Sequence, residues 1–205
     1  MPTLLHVDAS PRGDHSISRH LSAAFVEAWK AANPGGTVIT RDLTKSALTF
    51  VDMEWIGGAY TPPEGHSPEQ KQALAISDEL VAELLSADEI VLGTPMYNFA
   101  VPAVVKAWID HLVRSGKTFS SGPSGYQGLA TGRKATFLIA SLGSYEPGSG
   151  AEGYNQEGPY LQAIFGFMGI QSKVVLAGGG SAVMFGKMSQ EEFLKPIIEE
   201  VRAAV

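Results

Sequence analysis

The amino-acid sequence predicts an α/β fold in which a five-stranded parallel sheet is covered by helices on both faces. Short apolar segments alternate with amphipathic helical segments through the 205 residues, and parallel strands require such crossover connections. The strand segments are almost continuously apolar, which is typical of strands buried on both faces. We therefore expect a doubly wound sheet with the strand order 2-1-3-4-5, in preference to a dinucleotide-binding Rossmann fold, which would require a sixth strand.

The first elements follow from apolar spacing and from residues that begin or end helices. Thr3 to Asp8 is a short apolar run that predicts the first strand. An amphipathic helix follows with apolar residues at helical intervals, namely Leu21, Phe25, Ala28 and Ala32. The helix is expected to end near Pro34, because proline cannot continue it. Thr37 to Asp42 predicts the second strand, and Ser67 is the expected N-cap of the second long helix.

The remaining segments complete the alternation. Strands are predicted at Glu89 to Gly93, Lys134 to Ser141 and Ser172 to Ala177. Helices are predicted from Pro102 to Arg114, from about Pro159 to Met168, and in a terminal segment that carries Phe193, Ile197, Val201 and Val205. No linker, repeat or low-complexity tract divides the chain, so we expect one flavodoxin-like domain over residues 1–205.

Composition and charge exclude several classes of protein. The chain has 15 Lys and Arg against 21 Asp and Glu, and without a basic stripe nucleic acid is not an expected partner. The absence of cysteine removes disulfides, thiolate nucleophiles and Cys-ligated metals. The 5 histidines form no metal-binding pattern, so no metal is expected. Without a signal-peptide pattern or an apolar run of ~18 residues, we expect a cytoplasmic protein with no membrane segment.

The loop after the first strand has the composition of a phosphate site. Ligands of doubly wound sheets bind beyond the carboxyl ends of the strands, and this loop places Ser10, Ser16 and Ser18 around the start of a helix. The free N–H groups and the dipole of a helix N-terminus favour an anion, and Arg12 is a candidate countercharge. The alternative is that Ser16 only caps the helix and that the other hydroxyls are ordinary loop groups.

The loops after the third and fourth strands suit a flat heteroaromatic ligand. The first runs Pro95-Met96-Tyr97-Asn98-Phe99, where large apolar side chains beside one amide supply a stacking wall and a few hydrogen bonds. The second, Ser141 to Ser144, contains small residues that let the backbone approach a ligand. Core packing of Met96 and Phe99 is the alternative interpretation. Together with the phosphate loop, the pattern indicates a mononucleotide such as FMN.

These segments resemble the FMN-dependent NADH-azoreductase and quinone-reductase family, which is related to mammalian quinone reductase. The most specific match is the block from Pro95 to Phe99, and the resemblance extends along most of the chain. Supporting segments are the Ser10 to Ser18 loop, Ser77 to Leu80, Gly128 to Gly132, Pro159 to Leu161 and Gly166 to Ile170.

The resemblance implies an FMN site, an electron donor and a class of acceptor. It implies that the FMN phosphate is held by Ser10, Ser16, Ile17 and Ser18, and the isoalloxazine ring by Pro95, Met96, Tyr97, Asn98, Phe99, Ser141, Leu142, Gly143 and Ser144. It implies NADH or NADPH as donor and ping-pong reduction of quinone, azo or nitroaromatic compounds, without a catalytic nucleophile. Tyr126, Tyr145 and Phe165 are candidates to cover the substrate. Leu142 and Ser144 stand where the family usually has Arg and Gly, which bears on substrate preference.

The resemblance also implies a homodimer in which the partner chain completes each active site. The predicted helix from Pro159 to Met168 is apolar nearly all round, which indicates burial against more than its own sheet.

Two alternatives come from other functional classes. A flavodoxin-type electron carrier would bind FMN without a small-molecule substrate, but such carriers usually have a more acidic surface and a shorter phosphate loop than one that contains Arg12. A receiver-type signalling domain would need a phosphoacceptor Asp where Thr94-Pro95 stands. Gly148 to Gly153 matches the dinucleotide-binding pattern of glycines, but it does not join a strand directly to a helix, so we interpret it as a loop over the site.

Overall fold

A five-stranded parallel sheet forms the centre of the computed structural model, which describes residues 1–123 and 125–205. The strands are β1 (Thr3–Asp8), β2 (Thr37–Asp42), β3 (Glu89–Pro95), β4 (Phe119–Gly122), β5 (Gly125–Gly128), β6 (Lys134–Ala140) and β7 (Gln171–Ala177). The α-helices are α1 (Ile17–Ala32), α2 (Met53–Ala59), α3 (Pro68–Ser86), α4 (Ala103–Leu112), α5 (Glu157–Phe167), α6 (Ser181–Met184) and α7 (Gln190–Arg202).

The order of the parallel strands is β2-β1-β3-β6-β7. When these five strands are counted alone, the order is the predicted 2-1-3-4-5, so the fold class is confirmed. The chain reverses its direction of winding between β1 and β3, and the loops after β1, β3 and β6 reach the same edge of the sheet. Ligands of such folds bind at that edge.

Alternate residues of each strand enter two separate cores. Leu5 and Val7 of β1 pack on the side covered by α3, α4 and α5, whereas Leu4 packs on the side covered by α1 and α7. This alternation follows from the two-residue repeat of a strand. Because both faces are buried, the central strands β3 and β6 are apolar at most positions, as the sequence pattern indicated, whereas the edge strands β2 and β7 contain polar residues.

A β-hairpin made of β4 and β5 was not predicted from the sequence. It lies outside the main sheet, and its Phe119 and Tyr126 rings contact Phe167 of α5 at centroid distances of 4.8 and 5.5 Å. The hairpin therefore covers part of the second apolar face of α5. Part of the face that indicated a partner chain is thus covered within its own chain.

The short helix α2 lies in a stretch that the sequence predicted to be irregular. Asp52 is its N-cap and accepts a hydrogen bond from the N–H of Trp55 at 2.8 Å. The indole Nε1 of Trp55 donates to Nδ1 of the buried His111 at 3.2 Å, and Nε2 of His111 lies 2.8 Å from the carbonyl oxygen of Thr49. A helix of two turns is too short for apolar periodicity to reveal. Its position depends on these contacts with α4.

Candidate functional site

Buried hydroxyl groups surround the N-terminus of α1. Ser10, Ser16 and Ser18 are all buried, and the Oγ atoms of Ser16 and Ser18 lie 3.2 Å apart. Gly93 of β3 permits this close packing, because a Cβ atom there would lie 2.8 Å from both Asp8 Oδ1 and the carbonyl oxygen of Ser18. The first N–H groups of a helix have no partner within it. Hydroxyl and amide donors therefore converge at this point.

Arg19 holds the loop that carries Ser10. Its Nε donates to the carbonyl oxygen of Ser10 at 2.7 Å, while its two Nη atoms lie 3.3 Å from Asp8 Oδ2 and 2.9 Å from Asp42 Oδ1. Burial acts to raise the pKa of Asp42, but hydrogen bonds from Arg19 and Thr44 outweigh it and leave that pKa below its ordinary value. Arg19 thus joins the ends of β1 and β2 to the start of α1.

A tight turn from Tyr97 to Ala100 follows β3. The N–H of Tyr97 donates to the carbonyl of Ala100 at 3.0 Å, and the N–H of Ala100 donates back at 3.1 Å. Asn98 and Phe99 have φ values of +50° and +71°, as in the type I′ turn. The turn's own hydrogen bonds do not use the N–H groups of these two central residues. Such left-handed backbone is unfavourable for non-glycine residues and persists where the surroundings hold it.

The contacts that hold this turn come from distant parts of the chain. The ring of Phe99 stacks on Tyr154 with centroids 4.9 Å apart and meets Tyr145 edge-on at 5.8 Å. The carbonyl oxygen of Phe99 accepts a hydrogen bond from the N–H of Gln156 at 3.0 Å. The segment that precedes α5 therefore anchors the turn after β3.

The loop after β6 is held by the loop after β7. The N–H of Gly179 donates to the carbonyl of Gly143, and the N–H of Gly180 to that of Ser141, each at 2.9 Å. The N–H of Ser181 donates to the carbonyl of Leu142 at 3.1 Å. These bonds fix the backbone path of the Ser141 to Ser144 loop.

One cavity of about 190 Å³ joins the three loops. Its wall contains hydroxyl groups at the α1 end and apolar side chains at the other end. It is lined by Ser10, Arg12, Ser16, Ile17, Ser18, Pro95, Met96, Tyr97, Ala140, Ser141, Leu142 and Met184. Nine of these residues were singled out in the sequence as cofactor-binding candidates, and the structure brings them together around one space.

The other predicted cofactor-binding residues lie beside the cavity, not in its wall. They are Asn98 and Phe99 in the turn after β3, and Gly143 and Ser144 in the loop after β6. Each continues a segment that does line the cavity. The backbone groups of these four residues therefore belong to the loops that form the cavity.

The three aromatic residues predicted to cover a substrate occupy different environments. Tyr145 contacts Phe99 at the edge of the site. Tyr126 is 72% exposed on the hairpin and does not line the cavity of its own chain. Phe165 is 0% exposed in the core, where Trp108 and Phe137 contact it. Its ring therefore has no surface free for a substrate.

Sequence reasoning missed four residues that line or support the site. Met184 of α6 and Ala140 of β6 line the cavity, Tyr154 supports the turn, and Arg19 holds the loop of Ser10. The contacts of Met184 and Tyr154 depend on how elements far apart in the chain pack together, whereas Ala140 and Arg19 lie next to predicted site residues. The sequence pattern carries no signal for these contacts.

Within residues 1–123 and 125–205, no group of three or more His, Cys, Asp or Glu side chains is arranged to hold a metal ion. None of the helices described there has the length and apolar character needed to cross a membrane.

Comparison with known proteins identifies the family of this chain. Residues 2–202 match the family described as Flavodoxin_2, flavodoxin-like fold. A relative from Jannaschia sp. (strain CCS1), named FMN-dependent NADH:quinone oxidoreductase 2, is 50% identical over 100% of this chain and 99% of its own length.

Solved structures with similar folds include two azoreductases. An azoreductase from Bacillus anthracis str. Sterne superposes with a TM-score of 0.88 at 31% identity, covering 100% of this chain and 98% of that one. An FMN-dependent NADH-azoreductase from Bacillus anthracis str. Ames Ancestor, solved in complex with FMN, has a TM-score of 0.86 at 25% identity, covering 100% and 97% of the two chains. The chain therefore belongs to the family of flavodoxin-like proteins that includes the FMN-dependent NADH:quinone oxidoreductases.

Proposed function

We propose that this protein is an enzyme that binds FMN in the cavity and uses NADH to reduce quinones and azo compounds. The observation that carries the proposal is the cavity itself, in which buried hydroxyls at a helix N-terminus are continuous with an apolar wall. An anion site and a flat apolar site in one space match a phosphate joined to a heteroaromatic ring. The names of the relatives support the cofactor, the donor and the two acceptor classes.

The residues present fit FMN. Ser10, Ser16 and Ser18 would donate to the phosphate, with Arg12 as countercharge, and the wall that includes Met96 would contact the ring. Bound FMN would supply the redox chemistry, taking a hydride from NADH and passing the reducing equivalents to the acceptor. The chain's part is to bind and orient, and no side chain is required as a nucleophile.

Backbone amides at the ring end are the chain's candidates for stabilising negative charge. The N–H groups of Asn98 and Phe99 are outside the hydrogen bonds of their own turn, and the loop that contains Gly143 approaches from the neighbouring strand. Fixed N–H donors aimed at developing charge lower the energy of a transition state without reorganisation. This is the electrostatic role that we assign to both loops.

The open side of the cavity suits one planar substrate at a time. Tyr97 is 44% exposed beside Leu142, which is 49% exposed, and Tyr145 lies next to this mouth through its contact with Phe99. We assign Tyr97 and Tyr145 to the substrate wall. If donor and acceptor use the same face in turn, the kinetics are ping-pong.

The function is tested with the purified protein. We expect it to take up FMN, and to oxidise NADH with a quinone and with an azo dye, giving parallel double-reciprocal plots as the acceptor concentration is varied. NADPH and a nitroaromatic acceptor are tested in the same assay, because the reported relatives' names include neither. Failure to bind FMN or to oxidise NADH would contradict the proposal. Electron exchange with protein partners alone, without quinone turnover, would favour a flavodoxin-type electron carrier.

Replacing Ser16 with alanine tests its two roles, as the N-cap of α1 and as a donor to the FMN phosphate. Its Oγ accepts a hydrogen bond from the N–H of Arg19 at 3.3 Å, so the loss of the N-cap is expected to cost about 1 kcal/mol of unfolding free energy. Loss of a donor to a charged phosphate should also weaken FMN binding by roughly tenfold. The control is Ser67→Ala, which removes the N-cap of α3. It should lower stability similarly and leave FMN affinity unchanged.

A homodimer is proposed from exposed apolar residues near α2. Phe50, Met53 and Tyr60 are each more than three-quarters exposed within 11 positions of the chain, and large apolar side chains exposed close together in this way are typical of a protein interface. We expect sedimentation velocity to show a dimer, and Met53→Asp to shift it towards the monomer. A monomeric wild-type protein at micromolar concentration would contradict the proposal.

A further inference from the structure

Glu157, at the start of α5, is a buried acid without an ion-pair partner among the described residues. It is 0% exposed, and its Oε1 accepts a hydrogen bond from the Oγ1 of Thr94 at 3.0 Å. Its Oε2 has no hydrogen-bond partner in the part of the chain that the structure describes. A buried carboxylate with so few donors is strongly disfavoured relative to the neutral acid.

The protonation of Glu157 follows from this environment. Burial, opposed by the hydrogen bond from Thr94, raises the pKa of Glu157 to about 8. Lys106 and Asp110 of α4 pair with each other and act on Tyr160 of α5. They are not among the causes of the shift at Glu157. The carboxyl group is therefore mainly neutral at pH 7.

Gln156 and Glu157 each contact the segment after β3 that is the candidate binding site for the flavin ring. Thr94 immediately precedes Pro95, so the hydrogen bond from its hydroxyl links Glu157 to the start of that loop. The preceding residue, Gln156, donates its N–H to the carbonyl of Phe99 at 3.0 Å. Phe99 is in the left-handed backbone conformation that only its surroundings maintain. Glu157 thus holds the beginning of the loop after β3, and the adjacent Gln156 holds its strained turn.

We propose that Glu157 is a positioning residue that, in its neutral form, holds the Pro95 to Ala100 segment in the conformation that receives the flavin ring. The inference rests on the proposed function, since it assumes that this segment binds FMN. Ionisation would place an anion among apolar atoms, and the start of α5 would have to move to hydrate it. That movement would release Thr94 and the carbonyl of Phe99, and the turn would lose its support.

In the FMN-free protein, the contribution of Glu157 to stability depends on pH. The pKa of Glu157 is raised in the folded state, so its neutral form stabilises the fold fully below the ordinary glutamate pKa. This contribution is lost as the pH rises towards and through about 8. The melting temperature of the wild-type protein should therefore fall over this range relative to that of Glu157→Gln, whose amide cannot ionise.

The experiment compares the wild type with Glu157→Gln and Glu157→Leu. FMN dissociation constants are measured by quenching of flavin fluorescence from pH 6 to pH 9, and melting temperatures of the FMN-free proteins over the same range. We expect wild-type affinity at pH 9 to be weaker by about fivefold relative to Glu157→Gln, which corresponds to a pKa about one unit higher in the bound protein than in the free protein. Glu157→Gln should match the wild type at pH 6. Glu157→Leu, which removes the acceptor for Thr94, should bind weakly at every pH.

Glu152→Gln is the control, because Glu152 is an exposed acid in the same segment. It should reproduce the wild-type pH profile. Identical profiles for the wild type and Glu157→Gln would overturn the inference while leaving the proposed function intact. If the folded wild-type protein binds no FMN at any pH, the proposed function fails and the inference fails with it. Should Glu157→Leu not fold, the comparison with Glu157→Gln still decides the matter.

Discussion

Replacing Arg19 with methionine is expected to destabilise the fold and to weaken FMN binding together. The substitution leaves Asp8 and Asp42, both largely buried, without their shared cation, and removal of one partner from such a pair costs about 3 kcal/mol. It also releases the carbonyl of Ser10. We expect FMN affinity to fall by roughly tenfold, because the loop hydroxyls are no longer held in position. Urea unfolding and flavin fluorescence measure the two effects.

The effect of Arg19→Met on stability should depend on pH. The pKa of Asp42 is lowered in the folded protein, with Arg19 as a cause, so its stabilisation is present above the ordinary aspartate pKa and is lost as the pH falls through the folded value. The difference between variant and wild type should therefore shrink under acid conditions. Lys106→Met is the control, since it breaks an exposed pair with Asp110 and should cost about 0.5 kcal/mol or less. Equal effects of the two variants at neutral pH would show that Arg19 is an ordinary surface cation.

Replacing Gly128 with alanine is expected to displace the hairpin. A Cβ atom at Gly128 would lie 2.3 Å from the backbone nitrogen of Gly169 and 2.4 Å from the carbonyl carbon of Met168. Backbone cannot rotate away as a side chain does, so β5 must separate from the connection between α5 and β7. We expect a loss of about 3 kcal/mol in the free energy of unfolding. The aromatic contacts of Phe119 and Tyr126 with α5 should loosen as well.

The matched control is Gly122→Ala at the other end of the same hairpin. Among residues 1–123 and 125–205, apart from Gly122 and its two chain neighbours, no atom lies within 4 Å of a Cβ atom built at Gly122, so the added methyl should change stability by less than about 0.5 kcal/mol. Denaturant unfolding of both variants gives the comparison. A Gly128→Ala protein as stable as Gly122→Ala would mean that the hairpin does not pack tightly on the connection.

Sequence pattern determined the architecture because the main elements depend on local rules. The central strands are apolar at most positions, since both faces of the sheet are buried, and helices begin at capping residues such as Ser16 and Ser67. The predicted strand order followed from the alternation of strands and helices. The hairpin was missed because β4 and β5 are only 4 residues each and rich in Gly and Ser. Its stability comes from contact with α5.

The site was determined from the sequence only in part. The hydroxyl loop and the block after β3 were recognisable because each is a contiguous segment at the end of a strand, where this fold places ligands. Whether an aromatic side chain faces a ligand or the core depends on packing, which is why Phe165 was grouped with Tyr145 although its ring lies in the core. The buried state of Glu157 and its contact with Thr94, 63 positions away, are likewise properties of the folded chain. The protonation of Glu157 depends on its burial, and the conformation of the turn after β3 depends on long-range contacts. Both exist only in the tertiary structure.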